Sequence, residues 1–211
     1  LHLADFPLWA KIIIGVMLLD FMGAWLIHWI EHKIKWMWKF HLVHHSDTTV
    51  DVTTGLRHHP GETVFRIFFT ILGVFLVGIP IGIVMLYQSL SVLFAHITHA
   101  NINMPRKIDR TLSYLFVTPN MHKVHHHYTQ PLTDTNYGNI FAVWDRLFGT
   151  FAEVNDVQHL KYGIDTHLDP SENEDLGNLL KIPFQEYRPP TDATLSDTAK
   201  LKVEKLGKNR R

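Results

Sequence analysis

His28 and His32 lie four residues apart, a separation that puts two imidazoles on one helix face, where they can bind one metal ion or two adjacent ones. Two further runs, His41-Leu-Val-His44-His45 and His122-Lys-Val-His125-His126, repeat one H-x-x-H-H pattern. Residues three apart face the same way and the extra histidine reaches a neighbouring position, so two like clusters suggest two metals. His96 and His99, three apart, complete the candidate ligands. A lone histidine on an apolar face is usually a hydrogen-bonded core residue. Repeated clusters at the ends of apolar segments call for a metal instead.

The chain of 211 residues has 16 histidines and no cysteine, which excludes disulfides, thiolate zinc sites and iron–sulfur clusters carried by this chain. Imidazole suits zinc, copper, iron and nickel and argues against a magnesium or calcium cage. Lys+Arg and Asp+Glu both number 20, so no basic field argues for a nucleic-acid partner. Metal-binding histidines need an acceptor for the second ring N–H, and Asp20, Glu31, Asp47 and Asp145 are the candidates. Asp20 stands out, because an acid inside an apolar span is expensive and it lies about two turns before His28.

The elements that must position these groups follow from hydropathy. Ile12 to Ile30 is apolar apart from Asp20 and His28, about 19 residues and one passage through a hydrocarbon core. It runs into lysines interleaved with Trp29, Trp36 and Trp38, the composition of an interfacial, cytosolic boundary. The uncharged stretch Ile67–Ala95 would reach roughly 43 Å as one helix, well beyond a core of about 30 Å. Gly78-Ile79-Pro80 breaks it, and a hairpin of two passes brings His96 and His99 back to the earlier histidines. Residues 101 to 170 read as a cytosolic cap, with loops at Asn103-Met104-Pro105 and Thr118-Pro119-Asn120. The end, from Tyr187 to Arg211, reads as a linker, a short amphipathic helix and a basic tail. No signal-peptide pattern opens the chain. The fold expected is an all-α integral membrane helical bundle whose cytosolic helical cap holds a histidine-rich di-metal site. Residues 1–170 form the membrane domain and 171–211 a cytosolic C-terminal extension.

Taken together, H-x3-H at His28 and His32 and the two H-x2-H-H boxes resemble the fatty acid hydroxylase/sterol desaturase superfamily. Asp20-Phe21, Arg57-x-His59-Pro60, Asn136-Tyr137-Gly138 and Trp144-Asp145-Arg146-Leu147-Phe148-Gly149-Thr150 are similar to its flanking signatures, and the resemblance covers about residues 12 to 165. One departure is Trp29 after His28, where many members carry arginine. The resemblance implies a multi-pass membrane oxidoreductase with two Fe ions, for which Zn could substitute, and O₂ as co-substrate. It would hydroxylate or desaturate a C–H bond of a membrane lipid such as a fatty acyl chain or sterol. His28, His32, His41, His44, His45, His122, His125 and His126 would be ligands, joined by His96 and His99, with Asp20, Asn136 and Asp145 supporting the centre. His58, His59 and His127 have no place in that set, and His59-Pro60-Gly61 reads as a turn. Electrons would come from a partner, a cytochrome, ferredoxin or flavoprotein reductase, because the chain has no dinucleotide fingerprint. The rival classes are a metal-dependent membrane hydrolase, with Glu31 or Asp145 as acid/base, and a metal-handling protein.

Overall fold

A computed structural model describes residues 3–190 and 203–204. Among them three helical stretches are long and apolar enough to cross a membrane: Leu8–Lys33, Pro60–Val77 and Ile81–His99, of 26, 18 and 19 residues. The first is composite. Helix α1 (Leu8–Asp20) passes into a π-helical turn, Phe21–Leu26, and resumes as α2 (Ile27–Lys33). The extended backbone of Ile34 then ends the run and redirects the chain into α3 (Lys35–His45), which carries the first H-x-x-H-H box.

The expected hairpin forms. Helix α4 (Pro60–Val77) starts with Pro60 in its first turn and His59 as its cap, the ring accepting from the Gly61 amide. It stops at Gly78, whose φ of 66° is left-handed and disfavours a side chain. Pro80 then opens α5 (Ile81–His99), which returns along α1 and delivers His99 to the end where α2 and α3 meet. The seam is apolar, built from Val16, Leu19, Ile79, Ile83 and Tyr87. Helix α4 approaches the π-helical turn so closely that a Cβ on Gly23 would lie 2.5 Å from Thr70 Oγ1. The outward faces of the hairpin carry exposed Ile67, Phe68, Ile71, Phe75, Ile81, Met85 and Leu93. An apolar surface of that extent is tolerated in lipid and not in water.

The cap is less regular than a helical layer. Its helices α6 (Arg106–Leu112), α7 (Pro119–His125) and α8 (Val143–Leu147) are short and joined by long loops. Thr118 caps α7 by accepting from the Met121 amide and is itself anchored to Asp109 at 2.6 Å. The segment after residue 170 packs on α3, where Ile182 joins Leu42, Val43 and Ile164, and Lys39 donates to the Gln185 carbonyl. Of the amphipathic helix and basic tail expected beyond residue 190, only Val203–Glu204 is described, paired as a short antiparallel strand with Glu153–Val154. The rest lies outside the described residues.

Candidate metal centre

Two abutting groups of buried imidazoles sit where these elements meet. His28, His32, His41, His45 and His125 form the first, and His44, His99, His122 and His126 the second; within each group the ligand atoms lie within 4.8 Å of one another. Both H-x-x-H-H boxes divide in the same way. The outer histidines of α3, His41 and His45, serve the first group and His44 the second, whereas His122 and His126 serve the second and His125 the first. The rings are continuous across the boundary, with His45 and His126 centroids 4.7 Å apart.

Ring tautomers show that a cation fits. His28 Nδ1 donates to the Tyr137 carbonyl at 2.8 Å and His41 Nδ1 to Glu62 Oε1 at 2.9 Å. In neutral rings both Nε2 atoms are then bare lone pairs, yet they stand 2.9 Å apart. The second group repeats this: His44 Nδ1 donates to the Thr54 carbonyl and His99 Nδ1 to the Ala95 carbonyl, leaving two Nε2 lone pairs 3.2 Å apart. His99 and His122 Nε2 are 2.9 Å apart, and His126 Nε2 is 3.2 Å from each. The buried His32 and His125 Nε2 atoms have no hydrogen-bond partner. Facing lone pairs repel unless a positive ion lies between them. Imidazole nitrogens about 2.1 Å from a divalent metal stand about 3 Å apart when adjacent, which is the separation of these facing pairs.

Electrostatics keep the rings ready. Burial drives His41 down to about 3, despite Glu62 beside it. Burial first, and neighbouring imidazoles second, hold His44, His45, His122, His125 and His126 well below the ordinary histidine value. These rings are neutral at physiological pH, the state that binds a metal.

The groups that accept the outer N–H differ from those expected. Asp20 accepts from the Ile140 and Phe141 amides and from Trp144 Nε1 at 3.0 Å, so it fastens α1 to the cap instead of holding a histidine. Asp145 accepts from Trp25 Nε1, the Tyr137 and Gly138 amides and the Thr150 hydroxyl. It acts one step removed, by fixing the peptide whose carbonyl receives His28. Asn136, at a φ of 55°, ties the Met121 carbonyl of α7 to both backbone groups of Ala152. Asp47 is occupied by Thr49 and Thr54. The acceptors that do meet rings are backbone carbonyls, Glu62 and Asp134. Asp134 lies 3.2 Å from His32 Nδ1 and 2.9 Å from Lys33, and these contacts hold its carboxyl below the usual range against the opposing effect of burial. Glu62 also meets His58 Nδ1 at 3.0 Å and Arg66 Nε at 2.8 Å, and Arg66 reaches on to Glu31 at 2.8 Å. Glu31 itself stands 3.8 Å from His41 Nδ1.

His96, expected with His99, lies outside both groups and donates to the Val92 carbonyl at 2.7 Å. Three residues of helix turn it about 60° away from His99. His58 stacks on His44 with centroids 4.3 Å apart, His59 caps α4, and His127 is buried beside Tyr128. Sequence reasoning missed Glu62, Arg66 and Asp134. The one signal was spacing: Glu62 and Arg66 are four apart and present both charges to one helix face.

A fatty acid hydroxylase family model matches residues 12–150. The chain is similar to an ornithine lipid hydroxylase of Rhizobium tropici, 30% identical over 70% of this chain and 43% of that protein. It is also similar to the alkylglycerol monooxygenase of Caenorhabditis elegans, 30% identical over 78% of this chain and 30% of the relative. A rice very-long-chain aldehyde decarbonylase is 28% identical over 77% of this chain and 61% of its own length. The chain thus spans less than half the length of the first two relatives. No solved structure matches.

Proposed function

The chain belongs to the fatty acid hydroxylase family, and on that premise we propose that it is a membrane-bound oxidoreductase that inserts oxygen from O₂ into a lipid C–H bond at a di-iron centre. The observation that carries this reading is the pair of abutting imidazole groups, each with lone pairs facing one another. His28, His32, His41, His45 and His125 would hold one iron, and His44, His99, His122 and His126 the other. Iron bound there would supply the redox chemistry that activates O₂, which zinc, fixed in oxidation state, cannot.

The chain's own residues then have three tasks. For His28, His32, His41, His44, His99 and His125, Nδ1 donation to a fixed acceptor aims Nε2 inward and sets the tautomer. The α1–α2 run, α4 and α5 present apolar surface to the bilayer beside the centre, the side from which a hydrocarbon substrate would arrive without water. In the Glu62–Arg66–Glu31 cluster the guanidinium bridges both carboxylates and fixes Glu62 as the acceptor of the His41 Nδ1 proton, leaving that ring a neutral ligand. Lys33, Lys35 and Lys39 follow the first span, which supports a cytosolic position for the centre by the positive-inside rule. A cytosolic cytochrome, ferredoxin or flavoprotein reductase would deliver electrons there. Residues 1–170 would carry the chemistry, with 171–211 as an extension.

Whether the oxidised lipid leaves as an alcohol or an alkene is decided by where its carbon sits, and hydroxylation is the reading favoured by the names of the relatives. The hydrolase alternative is weakened, because Asp145 is engaged by two amides, an indole and a hydroxyl, and one oxygen of Glu31 by Arg66. A metal carrier needs ligands spread along a path, whereas these gather at one end of the spans. The test is iron content together with products formed from a lipid extract by reductase-supplied membranes under labelled O₂. Two irons per chain and label in a lipid hydroxyl are expected; label entering only from water would overturn the oxygenase.

A further inference from the structure

A cleft of about 160 Å³ opens between the end of α2, the start of α3 and the cap. His32, one of the rings of the first group, lies at its floor beside Asp134. Its polar lining carries both signs, Lys33, Lys35 and Arg188 against Asp134 and Asp165. Lys33 and Asp134 already meet at 2.9 Å and Arg188 and Glu172 at 2.6 Å, so the cleft has no large surplus of either charge. Trp38, Tyr128 and Tyr187 supply aromatic walls, and the Tyr187 ring already carries the Lys35 ammonium 5.3 Å from its centroid.

Below the cleft, Phe21, Trp25 and Trp29 stack down one face of the first span. Their centroids are 5.8 and 6.3 Å apart with ring planes 11° and 5° from parallel. Phe148 of the cap stacks on Trp25 at 4.4 Å, and together they line an apolar groove of about 250 Å³. Trp29 and Lys33 are four apart within α2 and share a face, so the groove leads up to a residue that lines the cleft.

We propose that the groove and the cleft together hold one amphiphile, its hydrocarbon along the stacked rings and a zwitterionic head group in the cleft over His32. The proposal rests on the lipid-oxidising reading above and names the class of lipid. A purely anionic head would meet Asp134 and Asp165, a purely cationic one the two lysines and Arg188, and an uncharged one would use neither set. A head bearing an ammonium and an anion matches both, with the aromatic walls stabilising the ammonium by cation–π contact.

The experiment titrates the purified full chain in neutral detergent with short-chain phosphatidylethanolamine, phosphatidylglycerol and diacylglycerol, reading tryptophan fluorescence. The zwitterion is expected to bind about tenfold more tightly than either of the others. Lys35→Gln and Arg188→Gln, at solvent-accessible positions away from the imidazoles, are expected to erase most of that preference. Equal affinities, tighter binding of the anionic lipid, or a preference untouched by both variants would overturn the proposal. Head-group preference without any lipid oxidation would leave the cleft standing and remove the oxygenase. Oxidation without head-group preference would do the reverse.

Discussion

Six of the nine imidazoles in the centre donate their second nitrogen's proton to a fixed acceptor, and the residues that receive that N–H matter nearly as much as the ligands. Glu62 is the most exposed to test, because it accepts from His41 and is held by Arg66 and His58. Glu62→Gln keeps the shape but swaps an anionic acceptor for an amide, and metal affinity at the first group is expected to fall about 10- to 100-fold. Titration with iron or cobalt, read by absorbance, checks this; unchanged affinity would make Glu62 a partner of Arg66 alone. The division of the boxes gives a second expectation. His44→Ala removes a ligand from the second group only, and His32→Ala from the first only. Each variant should retain about one metal per chain by elemental analysis, and loss of both ions from either would mean that the groups bind cooperatively as one site.

At the scale of elements, the π-helical turn sets the register of the first span. Asp20, Trp25 and His28 all engage the 137–145 segment of the cap, through Ile140, Asp145 and the Tyr137 carbonyl respectively. A regular α-helix would place Ala24, not Trp25, one turn after Asp20. Inserting one alanine after Ala24 adds a residue beyond the one the π-helical turn already absorbs and rotates His28 by about 100° relative to Asp20. The cap can then satisfy Asp20 or His28, not both, and metal content is expected to drop while circular dichroism stays helical. Retained metal would show that the register is incidental. A single extra residue leaves no mark in composition or periodicity, so the sequence predicted the span but not its register. The hairpin was legible because Gly78 and Pro80 are chemically committed to a break. The histidine groups were legible because their spacing is local. The roles of Asp20, Asn136 and Asp145 were not, because each depends on which distant backbone groups the fold brings to it. His96 misled for the opposite reason: its spacing from His99 fits a pair, but α5 turns it away.

Across the whole molecule, one membrane topology accounts for the shared site: the hairpin must leave and return on the side where α2 ends. With no native cysteine, single substitutions report this cleanly. In sealed vesicles, Val52→Cys and Ile81→Cys, both exposed, are expected to react with a membrane-impermeant maleimide from opposite faces; labelling from the same face would exclude the hairpin. The same convergence makes the centre sensitive to acid once metal is stripped. His41, His44, His45, His122, His125 and His126 are held neutral by burial, His41 down to about 3, whereas an unfolded chain protonates such rings near the ordinary value of about 6.5. Between those values the unfolded state binds protons that the folded state refuses, so stability rises with pH and falls as pH drops below about 6.5. Each such ring contributes about 1.4 kcal/mol per pH unit while that difference lasts. Metal-free protein in detergent is therefore expected to melt several degrees lower at pH 5.5 than at pH 7.5. Bound metal should raise the melting temperature at both values, since it stabilises only the folded arrangement of neutral rings. A melting temperature independent of pH in the metal-free state would mean that the rings are already solvated when metal leaves, and that the ion itself assembles the convergence of α2, α3, α5 and α7.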